Sequence, residues 1–227
     1  MPSRTRGVPP PQVREPVAPR LPASLTAAVL PDRDLEDDGI YRALDFKGVD
    51  LSFRRTEAAD FEGCRFSDTR LSGTELHRAG FIDGELERCD LSNMVARTST
   101  LHRVRISASR LTGMTWSGCA LRDVVFDGCR ADLTRFRFST FKNAVFRDCT
   151  MPEADFQNAD LRGVRFERCD LTGAQFSNAR MEGARFADCT LLKINGVTGF
   201  RGAVIGSRDA QGLVYSLAGA MGIVIGD

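Results

Sequence analysis

The sequence predicts an all-β fold, a quadrilateral parallel β-helix of about 7–8 coils followed by a short C-terminal helix. Three observations predict it. Counting by five from Phe46 to Leu191, 27 of 30 positions are large and apolar, the exceptions being Thr56, Ala96 and Ala131. Two residues before each of these centres, 26 of 30 side chains are Ala, Cys, Ser, Thr, Gly or Val. Two residues after each centre, 18 of 30 are Gly, Asn or Asp.

Residues two apart on extended backbone share a side. Each unit therefore sends one large and one small side chain inward, then turns where φ > 0 is tolerated. A period of 3.6 or 2 would drift out of phase within two units. Twelve of the 15 Phe lie on the ruler, and no insertion breaks its phase. A slower period of 20 is superimposed: FDGC, FRDC, FERC and FADC begin at Phe126, Phe146, Phe166 and Phe186. The interleaved centres from Leu51 to Leu191 are mostly Leu. One coil of four pentapeptides, with four faces stacking on their counterparts, explains both periods. Residues 46–195 make about 7.5 coils, roughly 36 Å at the sheet spacing of about 4.8 Å. Ala96 and Trp116 fall one coil apart on one face, so the large ring is expected to fill room left by the small side chain.

Outside the solenoid, 41–195, the ruler fails. Residues 1–20 are rich in Pro and Arg, lack the apolar run of a secretory signal, and read as a disordered tail. Residues 21–40 read as an N-terminal cap over the first coil's open edge. Residues 196–227 read as a C-terminal cap. In it Ser207-Arg208-Asp209 looks like a helix start, with a helix over about 208–221, Gly222 ending it, and a terminal strand at Ile223-Val224-Ile225. Leu213, Val214, Leu217 and Met221 share one helical face. So uncharged a helix is expected to be buried, on the last coil or against a second subunit.

All seven cysteines (64, 89, 119, 129, 149, 169 and 189) fall two before a centre. They should point inward as small hydrophobes. A linear stack cannot supply a tetrahedral zinc site, and parallel side chains sit at the long edge for a disulfide. Interior free thiols point to a reducing, cytoplasmic setting. His77 and His102, the two imidazoles, both follow a centre and point outward on different faces. No Walker loop, HExxH or CxxC is present, and Asp155 and Asp160 are repeat equivalents with no sign of an acid–base pair. The expectation is no catalytic residue, no metal and no cofactor.

Composition narrows the partners. The chain of 227 residues carries 27% charged residues with a net charge of +1, which excludes a generally basic nucleic-acid coater. No apolar run is long enough to span a membrane. The charges are unevenly spread: net −3 over 41–95, +7 over 96–147, and −2 over 148–227. Within this basic waist, Leu133 and Phe138 occupy outward turn positions. Two readings stay open: a local register adjustment around Ala131, or an exposed patch of Arg130, Leu133, Arg135, Arg137 and Phe138 that binds a partner.

Units such as Ala154-Asp155-Phe156-Gln157-Asn158 and Ala159-Asp160-Leu161-Arg162-Gly163 resemble the pentapeptide repeat family, over about two thirds of the chain. The resemblance implies a right-handed quadrilateral coil. A C-terminal helix after the coils is similar to the family's quinolone-resistance members, which implies a homodimer through Leu213, Val214, Leu217 and Met221. The chain departs from the family's ideal in using Cys, Val and Met at small positions and Arg before many centres. The function expected is a non-catalytic scaffold that binds another protein through its rod. The alternative implied by the resemblance is DNA mimicry against DNA gyrase. Mimicry needs acidic residues along the rod, and residues 41–227 carry net +2.

Overall fold

The computed structural model describes residues 14–226. They form a right-handed parallel β-solenoid of about nine turns. We number its faces by their inward centres: the first contains Phe46, the second Leu51, the third Thr56 and the fourth Phe61. Pairing runs at a separation of 20, as in Phe46↔Phe66, Phe126↔Phe146 and Phe166↔Phe186 on the first face. The third face pairs Thr56↔Leu76↔Ala96↔Trp116. The second is held by single bridges such as Arg110↔Arg130. The fourth and first faces merge into eight-residue strands at 80–87, 100–107 and 120–127.

The rod is longer than the 7–8 coils the sequence predicts. Thr26–Ala27 pairs with Leu44–Asp45, and Val204–Ile205 pairs with Arg185–Phe186. These outer rungs are offset by 18 and 19 residues in place of 20. They therefore leave the five-residue phase while keeping the ladder.

Every fifth residue from Ala43 to Lys193 has φ > 0. The corner geometry is thus universal, although many corners are not Gly, Asn or Asp. Left-handed backbone costs an ordinary residue about 1–2 kcal/mol. The ladder offsets this, because most corner N–H groups donate to the next coil: Leu133 to the Pro152 carbonyl at 3.0 Å and Phe138 to that of Gln157 at 3.1 Å. No register adjustment occurs around Ala131, which is inward and 2% exposed. Leu133 and Phe138 are regular corners with side chains in solvent.

Two long columns of stacked rings run through the core, with a shorter stack of Tyr41, Phe61 and Phe81 on the fourth face. On the first face Phe126, Phe146, Phe166 and Phe186 lie 4.5, 5.1 and 4.8 Å apart and nearly parallel. On the third, Phe136, Phe156 and Phe176 repeat at 5.2 Å. Small inward residues satisfy the backbone between coils. Ser139 donates to the Trp116 carbonyl at 2.9 Å and accepts the Cys119 N–H at 3.0 Å. Cys64 and Cys189 thiols donate to the Tyr41 and Phe166 carbonyls in the same way. The thiol thus takes the hydroxyl's donor role at this position, as a weaker donor.

All seven cysteines are buried and free. Burial pushes Cys89 and Cys119 up to about 11. In the column, Cys149 and Cys169 reach about 12: a thiol on one side lowers each, but the thiol on the other side and burial raise it further. Cys189 closes the column, and the Cys169 thiol bonded to it lowers its pKa. Thiolate is the reactive form. We expect thiol counting to find six groups that react slowly until denaturant is added, with Cys189 the first to label. Rapid native labelling of Cys149 or Cys169 would contradict the inward phase.

The N-terminal segment departs from the disordered tail expected over 1–20. Residues 1–13 lie outside the described residues. Residues 14–20 run along the edge between the fourth and first faces, opposite to the direction of coiling. The Arg20 and Val17 N–H groups donate to Asp83 and Asp123 at 3.0 and 3.1 Å. Asn143 donates to the Glu15 carbonyl at 3.2 Å, and the Glu15 carboxylate pairs with Arg165 at 2.7 Å. Arg165 pulls the Glu15 pKa below its usual range. Pro16, Pro19 and Pro22 favour extended backbone, which rises about 3.1 Å per residue, so a few residues span several coils. These partners are 63 to 150 residues away in sequence, and no local pattern announces them.

Residues 28–39 close the first coil: Ala28 and Leu35 are buried, and the Tyr41 hydroxyl donates to the Asp34 carbonyl at 2.7 Å. At the other end the expected helix over 208–221 is shorter. Asp209–Leu213 is a 3-10 turn without a side-chain cap, and the α-helix, α1, covers Val214–Ala220. A Cβ on Gly212 would lie 3.1 Å from the Leu191 backbone, so the chain passes too close over the last coil for a wider helix. Only Leu213 enters the core, at 2% exposure; Val214, Leu217 and Met221 do not pack on the last coil and are exposed on the single chain. Ile223-Val224-Ile225 forms no strand, because the chain has left the solenoid edge there.

Candidate functional site

Many charges on the rod are paired one coil away. Arg55–Glu75, Arg88–Asp68, Arg103–Asp83, Arg147–Glu167 and Arg168–Asp148 pair at 2.6–2.9 Å, each across 20 residues. The coil turns a sequence spacing of 20 into vertical contact, so alternating sign along the chain becomes an ion-pair ladder. The exposed pairs, such as Arg55–Glu75 and Arg88–Asp68, add little stability each, whereas Arg103–Asp83 is largely buried.

The basic waist does not form one patch. It is a belt distributed over all four faces. Arg110 and Arg130 lie on the second face, Arg97, Arg135 and Arg137 on the third, Arg122 and Lys142 on the fourth, and Arg105 and Arg147 on the first. Arg130 pairs with Asp132 at 2.9 Å, within a shallow depression of about 550 Å³ bounded by Leu133, Pro152 and Glu153. Arg137 pairs with Asp155 at 2.5 Å. Arg135 has no carboxylate within 4 Å among the described residues.

What the structure does bring together is Leu133, Arg135, Arg137 and Phe138. Leu133 and Phe138 stand at the two corners that bound one segment of the third face, 48% and 62% exposed. The two arginines leave that segment between them. On the preceding coil the same face carries Gly113, Thr115, Ser117 and Gly118, so these four side chains rise from a low floor. Arg130 sits around the corner on another face and does not belong to this group.

The histidines take no part. His77 lies beside Glu57 at 3.4 Å. His102 lies against Arg103, and burial together with that cation lowers its pKa. Among the described residues no three His, Cys, Asp or Glu side chains converge as metal ligands.

Two surface features escape a reading that follows only inward positions. Phe53, 81% exposed, lies over Gly73, where a Cβ would meet its ring at 2.7 Å. On the fourth face His102, Arg122, Lys142 and Arg162 stack as one outward column. The 20-residue spacing, applied to the residue after each centre, would have disclosed that column.

The model of the pentapeptide repeat region matches residues 59–136, 99–176 and 123–195, together more than half of the chain. No curated protein sequence matches. Among solved structures, the chain is similar to HetL of the cyanobacterium Nostoc sp. strain PCC 7120, a pentapeptide repeat protein involved in heterocyst differentiation regulation. Identity is 18%, coverage 70% of this chain and 89% of that one, and the TM-score 0.37. It is also similar to QnrB1, a plasmid-mediated fluoroquinolone resistance protein, at 23% identity over 82% of this chain and 100% of that one, TM-score 0.33. A third is Rfr23 of the cyanobacterium Cyanothece 51142, at 11% identity over 75% and 91%, TM-score 0.18. Superpositions this loose carry nothing about partners.

Proposed function

The chain belongs to the pentapeptide repeat family, and on that premise we propose that it is a non-catalytic scaffold binding another protein through the third face of its rod. One observation carries this reading. Arg135, without a carboxylate partner among the described residues, stands between two exposed apolar corners, Leu133 and Phe138. Arginine suits such a site because its planar fork bonds and stacks at once. A rigid coil fixes the backbone beneath the group, so binding has only side chains to order. The seven free thiols fit a reducing, cytoplasmic setting, and no described helix is long and apolar enough to cross a membrane.

Charge reversal tests the surface. Arg135→Glu with Arg137→Glu is expected to abolish partner capture from native lysate while leaving the melting temperature within a few degrees of wild type. Capture that survives the reversal assigns the contact elsewhere. Inhibition of gyrase supercoiling that withstands this change, but is lost with Asp155→Lys and Asp160→Lys, would replace the scaffold reading by DNA mimicry. Those two carboxylates are engaged, with Arg137 at 2.5 Å and Arg162 at 2.6 Å, which leaves them poorly placed to imitate phosphates.

The C-terminal end fits a second copy of the chain. Val214, Leu217 and Met221, with Tyr215, expose a contiguous apolar surface on and after α1, of the kind that marks an interface. Light scattering coupled to size exclusion is expected to show a dimer that Leu217→Asp with Met221→Asp converts to a monomer. A wild-type monomer at micromolar concentration would discard the dimer.

A further inference from the structure

We propose that the fourth face binds an extended acidic segment of a partner protein, laid along the rod axis over His102, Arg122, Lys142 and Arg162. His102↔Arg122 and Arg122↔Lys142 are paired rungs, and the Thr140↔Asp160 bridge sets Arg162 below Lys142. Four bases thus stand in one line about 14 Å long at the sheet spacing. Above them the column continues with Ile82 and Glu62, and below them with Glu182.

The column is the longest run of bases on adjacent rungs; elsewhere such runs stop at two, as in Arg110↔Arg130 and Arg165↔Arg185, and many arginines pair with an acid 20 residues away, as Arg42 does with Glu62 at 3.0 Å at the start of this same column. Between His102 and Arg162 it offers no acid at all. Like charges on adjacent rungs repel. The surrounding carboxylates answer that repulsion only in part. Asp160 holds Arg162 at 2.6 Å. Asp123 turns Oδ2 toward Arg122 at 3.6 Å, a long contact, while its Oδ1 accepts the Val17 N–H and the Asn143 amide. Lys142 has no carboxylate within 4 Å among the described residues. Lys142 is the uncompensated centre of the line, and Arg122 beside it has only the long Asp123 contact.

Shape selects the ligand. Beside the bases run Thr100, Ala120 and Thr140, exposed and small, which make a flat shelf. On the far edge lies the chain's own segment 14–20, extended and parallel to the rod axis, bonded to Asp83 and Asp123. The structure therefore already displays one extended peptide in the orientation proposed for a second. Roughly four or five residues of extended chain cover the line at about 3.3 Å each. The column carries one aromatic ring, the His102 imidazole at its end, and no row of rings on successive rungs, whereas sites for single-stranded nucleic acid stack successive bases on aromatic side chains. An acidic peptide needs only the charges. Phe138, at the corner of the Lys142 coil, offers an apolar contact beside them. The site does not depend on the third-face reading.

Fluorescence anisotropy tests it with a labelled Glu-Ser repeat peptide of about twelve residues and, in parallel, oligothymidylate of equal charge, at low and physiological ionic strength. The peptide is expected to bind, and Arg122→Glu with Lys142→Glu to weaken it at least about tenfold. Arg135→Glu with Arg137→Glu should leave peptide binding within about twofold. Lys142→Gln, a milder change, should weaken binding about threefold and covers the event that the double variant does not fold. Binding equally reduced by the third-face variant reveals general electrostatics and overturns the site. Oligothymidylate binding more tightly than the peptide overturns the ligand class. Peptide binding that is absent, or unmoved by both fourth-face variants, overturns the proposal.

Discussion

Truncating Phe146 to Ala is expected to destabilise the rod by about 3–5 kcal/mol, read as a lower denaturant midpoint at unchanged slope. Phe146 is fully buried in the middle of the first-face column. Its ring lies between those of Phe126 and Phe166, at 4.5 and 5.1 Å, and meets Phe136 and Phe156 edge-on at 5.8 and 6.0 Å. Removing it opens a cavity that neither coil can close, because each is fixed by the ladder to its neighbours. The loss also interrupts coupling along the rod, since a solenoid's coils touch only adjacent coils. A midpoint unchanged by the substitution would contradict the stacked core. A shallower slope would show instead that the rod unfolds in two sections about the missing ring.

Trp116 supplies the second large effect. It is 1% exposed and pairs with Ala96, the smallest centre on its face. Trp116→Ala is expected to cost about 3–5 kcal/mol. Ala96→Leu alone overpacks and should cost about 1–3 kcal/mol. Together with Trp116→Leu the two changes extend the column Leu76, 96, 116 with evenly sized side chains, and most of the loss should return. The coupling free energy of that double-mutant cycle is the measurement. Additive losses would mean that the two side chains do not share one volume. Trp116→Phe should be mild, because the buried indole N–H has no acceptor and removing an unsatisfied donor recovers part of the lost packing.

The five-residue ruler describes the interior because inward position is a local property. It depends on backbone alternation and on the corner two residues later, both set within one unit. Cys129, Cys149, Cys169 and Cys189 are buried for that reason, as are the Phe centres. The outside obeys no such local rule. Whether Arg137 is free or paired depends on Asp155, and whether Arg122 is compensated depends on a carboxylate that Val17 and Asn143 also use. The waist looked like one patch along the chain, and the coil distributed it around a belt.

Read alone, the chain specifies the coil: its parallel pairing, the inward column of rings, the corner every five residues and the family. These are written many times over, so that exceptions such as Thr56 or Ala131 are outvoted. The turns that close the rod, the path of residues 14–20 and the exposure of α1 are each written once. Their partners are distant, and the outer rungs carry offsets of 18 and 19 that no repeat announces. Folding decided them, because a sheet edge must be covered by whatever backbone can reach it, and reach is a matter of three-dimensional distance.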